Sequence, residues 1–166
     1  MKEPLQVNSI KTPVGVLALI SDGSTLVGAE FGDLASLQAR LGPVLIERGF
    51  KNVKSIPGIS DEVRRYFDGD LRAFDKIKVK QPGGPFSQSA WNAMRKITPG
   101  RTISYADLAA NAGSPAAVRA AGSACARNLI APIVPCHRIV RSDGSLGGYG
   151  FGLPAKTWLL KHEGAL

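Results

Sequence analysis

The chain has 166 residues, 44% apolar and 20% charged, which is enough for one or two small folded domains with their own core and excludes a low-complexity or disordered chain. No run reaches the eighteen apolar residues a membrane span requires, so no membrane partner is expected. The net charge of +8 suits a polyanionic partner without locating it.

Met1-Lys2-Glu3-Pro4 opens the chain without the apolar run of a secretion signal. The two cysteines, Cys125 and Cys136, match no CxxC pattern. Together these predict reduced thiols in an intracellular compartment, cytoplasmic and close to the nucleoid.

Residues 5–32 carry short apolar stretches, Val14 to Ile20 and Thr25 to Phe31, around the turn Ser21-Asp22-Gly23-Ser24, and predict a hairpin or meander. Leu37, Leu41 and Leu45 have helical spacing between Leu34 and Arg48, interrupted by Pro43. Ser60 with Asp61 and Glu62 predicts the cap of a helix running to Asp68-Gly69, and Phe74 to Val79 a strand. No chemistry-bearing cluster falls here, so residues 1–79 are expected to form a supporting α/β domain.

Lys80-Gln81-Pro82-Gly83-Gly84-Pro85 reads as a linker into a second domain, residues 80–166. Ser87 to Ile97 predicts a helix with Ala90, Trp91, Met94 and Ile97 on one face, stopped by Pro99-Gly100. Ser104 is placed to cap Tyr105 to Ala112. Gly113-Ser114-Pro115 makes a tight turn, and Ala116 to Arg127 gives the next helix. Helix, short turn, helix is the helix-turn-helix pattern, so the fold class is α/β of the α+β kind, its second domain mostly helical and winged-helix-like. The second of these helices is built from alanine, glycine and serine, which suits close approach to a surface rather than reading of base edges.

Ile133 to Val140 sets a thiol, an imidazole and a guanidinium side by side between apolar runs. The segment before Pro135 is biased to extended backbone, so Cys136 is expected where a buried strand-like segment stops and turns. A nucleophilic cysteine needs a nearby base or positive charge, and His137 and Arg138 are next in line. By residue type alone, a cysteine in an apolar run is more often core filler. Residues 141–152 are too glycine-rich for a helix and read as a loop lining the site, before a last short helix that starts at Pro154 and ends near His162-Glu163-Gly164. Cys125, Cys136, His137 and His162 lack the spacing of a zinc site, and no metal is expected.

Pro135-Cys136-His137-Arg138 between Ile133-Val134 and Ile139-Val140 resembles the active-site signature of the O6-alkylguanine-DNA alkyltransferases, the methylated-DNA–protein-cysteine methyltransferases. The resemblance extends over residues 84–164 through Phe86, Trp91, Thr102, Ser104, Tyr105, Leu108, Ala109, Arg119, Asn128, Gly148-Tyr149, Trp158-Leu159-Leu160 and Glu163. It implies stoichiometric, irreversible transfer of a methyl or other alkyl group from O6 of guanine, and from O4 of thymine, to Cys136. The damaged nucleotide would first be flipped out of the duplex. It implies no cofactor and, as partner, double-stranded DNA containing O6-alkylguanine, bound by a monomer able to associate along it.

By the same resemblance, Glu163 orients His137, which takes the thiol proton through a water, while Asn128 braces the turn. Tyr105 crowds the flanking phosphate and hydrogen-bonds the extruded guanine. Arg119 fills the gap in the stack, and Ala120, Ser123 and Arg127 share its DNA-binding helix. Ile139, Tyr149, Gly150 and Phe151 line the substrate pocket, with Gly150 and Phe151 at positions where family members differ. Two other classes stay open on the residues themselves: a cysteine hydrolase or acyl transferase using Cys136, His137 and Glu163, and a non-catalytic helix-turn-helix DNA binder.

Overall fold

The computed structural model describes residues 2–166. The chain divides into two compact units, Met1–Gln81 with Leu129–Ile133, and Pro82–Asn128 with Val134–Leu166. Sequence reading placed a single crossing at residues 79/80. Instead Lys80 and Gln81 group with the first unit, and the chain returns to it for five residues just before the nucleophile.

In the first unit, β1 (Leu5–Thr12), β2 (Gly15–Asp22) and β3 (Thr25–Phe31) form an antiparallel meander. Helix α1 (Leu34–Arg40) and the short α2 (Pro43–Ile46) follow, then β4 (Phe50–Asn52), α3 (Ser60–Phe67), a 3-10 turn at Ala73–Lys76 and β5 (Lys78–Val79). The sheet order is β4-β1-β2-β3-β5, with the two short outer strands parallel to their neighbours. Leu5, Val7, Ala18, Ile20 and Val27 pack with Leu37 and Leu41 into the core. Strand β2 buries five consecutive residues, Leu17 to Ser21, as a strand covered on both faces does.

Three local expectations shift for physical reasons. Pro43 splits the predicted helix into α1 and α2, taking the first-turn position where its missing N–H is harmless. Ser60 lies inside α3 rather than capping it, because its hydroxyl accepts from Ile56 N (2.8 Å) and donates to Asn8 Oδ1 (2.7 Å). The expected strand from Phe74 is mostly a 3-10 turn, which stacks Phe74 on Tyr66 at 4.0 Å.

The returning segment is tied within this unit. Ala29 N donates to Leu129 O at 2.8 Å, Ile130 bridges Ala29, and the Gln81 side chain accepts from Leu129 N at 2.8 Å.

The second unit contains α4 (Pro85–Arg95), β6 (Ile103–Ser104), α5 (Tyr105–Asn111), α6 (Val118–Arg127), a 3-10 turn at Cys136–Arg138, β7 (Ile139–Val140) and α7 (Leu153–His162). Ser104 caps α5 as expected, and Asp107 completes a capping box. Helices α5 and α6 form the helix-turn-helix, and α4 packs on both. Trp91 of α4 donates its indole N–H to Ala124 O of α6 at 2.9 Å. Gly83 allows this placement, since a Cβ there would come within 2.6 Å of the Trp91 ring. Strands β6 and β7 pair in parallel, Ile103 with Ile139 and Ser104 with Val140, which brings the start of α5 beside the turn that carries Cys136. Among the described residues, no helix is long and apolar enough to cross a membrane.

Candidate active site

Cys136 opens the 3-10 turn and is 9% exposed. The preceding residues are buried turns rather than a strand, and Cys136 N donates to Val134 O at 2.9 Å. Asn128, directly after α6, donates from Nδ2 to Val134 O at 2.8 Å and to Cys136 Sγ at 3.4 Å. One amide therefore fixes the turn and faces the sulfur. Burial pushes the Cys136 thiol pKa up, with the Asn128 hydrogen bond and the Lys156 charge opposing it, so the resting sulfur is protonated at neutral pH.

His137 is fully buried, and its Nε2 lies 2.9 Å from Glu163 Oε2. Burial works against the Glu163 charge, but the hydrogen bonds from His137 and Arg138 outweigh it and hold the carboxyl below the usual range. An ionised carboxylate accepts only, so the neutral imidazole carries its proton on Nε2 and presents a lone pair at Nδ1. Nδ1 has no hydrogen-bond partner among the described residues, and burial lowers the His137 pKa further than Glu163 raises it. A neutral imidazole with one acceptor nitrogen left unoccupied has the chemistry of a base.

Arg138 does not serve the thiol, contrary to the expectation from its place in the sequence. Its Nε and one terminal nitrogen reach Glu163 at 2.8 and 3.0 Å, and the other terminal nitrogen reaches Ile97 O at 2.7 Å. The guanidinium forks onto the carboxylate that orients His137.

Tyr105 is half-buried at the start of α5, with burial pushing its hydroxyl pKa up and the two cysteines acting in the same direction. The loop after β7 passes over it. Gly147, at φ +71°, could not carry a Cβ without bringing it to 3.2 Å from the Tyr105 hydroxyl. The Tyr149 ring stands edge-on to His137 at 6.4 Å and to Phe151 at 5.3 Å, so two expected pocket residues form an aromatic ladder from the imidazole. Gly150 is exposed with open space where a side chain would go, and Ile139 is buried.

The residues expected to meet DNA are elsewhere. Arg119, Ala120, Ser123 and Arg127 are all exposed and share one side of α6, while Ala121 and Ala124 face inward. As for metal, His162 stacks on Trp158 at 4.6 Å, and no group of three or more His, Cys, Asp or Glu is placed to hold an ion among the described residues.

Lys156 is the residue that sequence reading passed over. It is fully buried, and Nζ donates to the carbonyls of Ile139, Leu146 and Gly148. The signal was present: Lys156, Leu159, Leu160 and Glu163 follow the i, i+3, i+4, i+7 pattern of one helix face, and that face is the buried one.

Known proteins resemble the chain along its length. The family model described as 6-O-methylguanine DNA methyltransferase, DNA binding domain, matches residues 85–165. The methylated-DNA–protein-cysteine methyltransferase of Shigella flexneri is 35% identical over 161 residues, covering 95% of this chain and 94% of its own. Mycobacterium tuberculosis OGT in complex with DNA superposes with a TM-score of 0.82 at 34% identity, over 96% of this chain and 93% of its own. The O6-methylguanine-DNA methyltransferase of the archaeon Pyrococcus kodakaraensis gives a TM-score of 0.73 at 25% identity, over 96% and 99%. With likeness of this degree along nearly the whole length, the chain belongs to the methylated-DNA–protein-cysteine methyltransferase family.

Proposed function

We propose that this protein repairs DNA by moving the alkyl group of O6-alkylguanine onto Cys136, acting as a methylated-DNA–protein-cysteine S-methyltransferase that works once. The observation that carries the reading is the buried polar set on the Cys136–Arg138 turn: Asn128 on Sγ and, one residue on, His137 held by Glu163 with Nδ1 unoccupied. His137 takes the thiol proton at Nδ1, directly or through one water. Sγ attacks the alkyl carbon, the S–C bond forms as the C–O6 bond breaks, and the electron pair passes to the guanine. Tyr105 supplies a proton to the departing base and regains one from solvent or from His137. The net change is a thiol and an O6-alkylguanine converted to a thioether and guanine.

A base in a duplex cannot reach the sulfur of a cysteine that is only 9% exposed, so the nucleotide has to be turned out of the stack. The exposed side of α6 supports the approach. Ala120 and Ser123 allow close contact with a groove, Arg127 neutralises phosphate, and Arg119 enters the vacated position. Ile139, Tyr149, Gly150 and Phe151 receive the base. A thioether has no leaving group that water displaces readily, so the sulfur is not regenerated. The protein works as a monomer.

Intact-protein mass spectrometry after incubation with duplex DNA containing O6-methylguanine tests this. One added methylene mass per protein, mapped to Cys136, with a burst equal to the active protein and no steady state after it, is expected. Sustained turnover, or label on Cys125, contradicts the reading.

A further inference from the structure

We propose that Arg141 is a further DNA-positioning residue, its guanidinium taking a phosphate beside the extruded nucleotide and holding the turned backbone against the rim of the site. The proposal rests on the reading that a flipped O6-alkylguanine reaches Cys136 past Tyr105.

Strand β7 ends at Val140, which pairs in parallel with Ser104, so the chain leaves the small sheet at Arg141 beside the point where it leaves at Tyr105. The two side chains meet over one glycine. A Cβ on Gly147 would lie 3.2 Å from the Tyr105 hydroxyl and 3.5 Å from Arg141 Cγ, which sets the arginine stem along the same rim as the phenol. Burial, the chief influence, raises the Tyr105 pKa and the Arg141 charge opposes it, so the guanidinium stands within electrostatic reach of the hydroxyl.

The backbone at Arg141 is fixed while its charge is left open. Arg141 N donates to Ser145 O and Gly144 N to Arg141 O, each at 3.0 Å, closing a tight turn. Arg141 is exposed and forms no ion pair among the described residues. Asp143, two positions on, instead takes Ser145 N at 2.9 Å and Ser145 Oγ at 2.7 Å on one oxygen. Arg138 makes the contrast, since Glu163 and Ile97 O occupy its fork. An arginine on a fixed stem with an unpaired fork suits the bidentate geometry of a phosphate.

Position selects which phosphate. Arg119 and Arg127 lie on α6, whereas Arg141 lies beside Tyr105, which the base has to pass on its way to the sulfur. A nucleotide turned out of the stack carries its flanking phosphates out of the regular backbone, and a cation on the rim offsets their crowding against the phenol. Because Arg141 is exposed, water screens its pull on the Tyr105 proton, and direct contact with phosphate is the larger effect.

The test uses the full chain with Arg141→Gln, which loses the charge, and Arg141→Lys, which keeps the charge without the fork. Single-turnover transfer at sub-saturating substrate is measured from duplex DNA containing O6-methylguanine and from free O6-benzylguanine, which has no phosphate. It is also measured from the same duplex with one neutral methylphosphonate placed on the 5′ or the 3′ side of the lesion. Arg141→Gln should slow the all-phosphate duplex by about tenfold, the loss of one charged hydrogen-bonded contact, and leave the free base within about twofold of wild type. One of the two methylphosphonates should slow the wild type by a similar factor, and on that duplex Arg141→Gln should cost less than about twofold more. Arg141→Lys should recover part of the duplex rate. An unchanged duplex rate overturns the proposal. So does an equal loss on the free base, which would mark Arg141 as a partner of the Tyr105 proton or of the fold. A loss in Arg141→Gln that persists in full on both methylphosphonate duplexes also overturns it, in favour of a diffuse charge. A wild-type protein that takes no alkyl group from any of these substrates removes the alkyl-transfer reading itself, a result distinct from variants that behave as wild type.

Discussion

The interior around Cys136 and the outer side of α6 sit in the same compact unit and are built on opposite rules. In the interior, Asn128, His137, Arg138, Lys156 and Glu163 are buried polar groups held by hydrogen bonds of defined length, and His137 Nδ1 is left without a partner among the described residues. On α6, small side chains and two exposed arginines offer smoothness and charge with no fixed geometry. Bond making needs atoms placed to a few tenths of an ångström, whereas contact with a polymer of repeating phosphates needs a surface that fits in many registers.

Four substitutions and one titration press on that contrast. Cys136→Ser should abolish alkyl transfer, because a hydroxyl is a far weaker nucleophile of similar size, while duplex binding by titration stays near wild type. Glu163→Gln should destabilise the fold by about 3 kcal/mol in chemical denaturation, since it leaves the Arg138 charge buried without its counter-ion. Arg119→Ala should slow repair of duplex DNA by about ten- to a hundredfold and leave reaction with the free base nearly unchanged, because only the duplex has a stack to fill. Equal slowing on both substrates would make Arg119 a packing residue and erase the division between interior and face.

The titration concerns His137. Its folded pKa is lowered, chiefly by burial, from the ordinary 6.5, so the neutral base persists to lower pH than a free imidazole. Transfer rates should stay level from neutral pH down to about 6.5 and fall only below it. The unfolded chain binds that proton more readily, so the stability linked to His137 is present above 6.5 and declines as pH falls further. An acid limb centred above 6.5 would show a charged resting imidazole. The smallest effect belongs to Cys125→Ser, which should retain full transfer. Burial pushes the Cys125 pKa up to about 12, leaving an inert thiol.

Much of this architecture is legible in the sequence where a local rule has no competitor. The meander, the Pro43 interruption, the Ser104 cap and the glycine-rich loop all follow from short-range chemistry, and the Pro-Cys-His-Arg signature points to the site. What escaped depends on partners distant in sequence. Ser60 looks like a cap until Asn8 is placed 2.7 Å from its hydroxyl. Arg138 looks like a charge for its neighbour until Glu163 arrives 25 positions later. Lys156 reads as a solvated lysine unless the periodicity of α7 is followed through the charge, because lysine is seldom buried.

The five-residue return of the chain, Leu129 to Ile133, bears on how such a protein can be cut or recombined. Leu129, Ile130, Ala131 and Ile133 are all buried, and their backbone partners, Ala29 and Gln81, lie in the first half of the chain. A fragment beginning at Pro82 would carry this greasy loop without its cover, immediately ahead of the reactive sulfur. Any rearrangement that frees the helical half as a module of its own has to replace those four side chains with polar ones or find them another lining, which makes this short loop the seam that ties the inheritance of the two halves together.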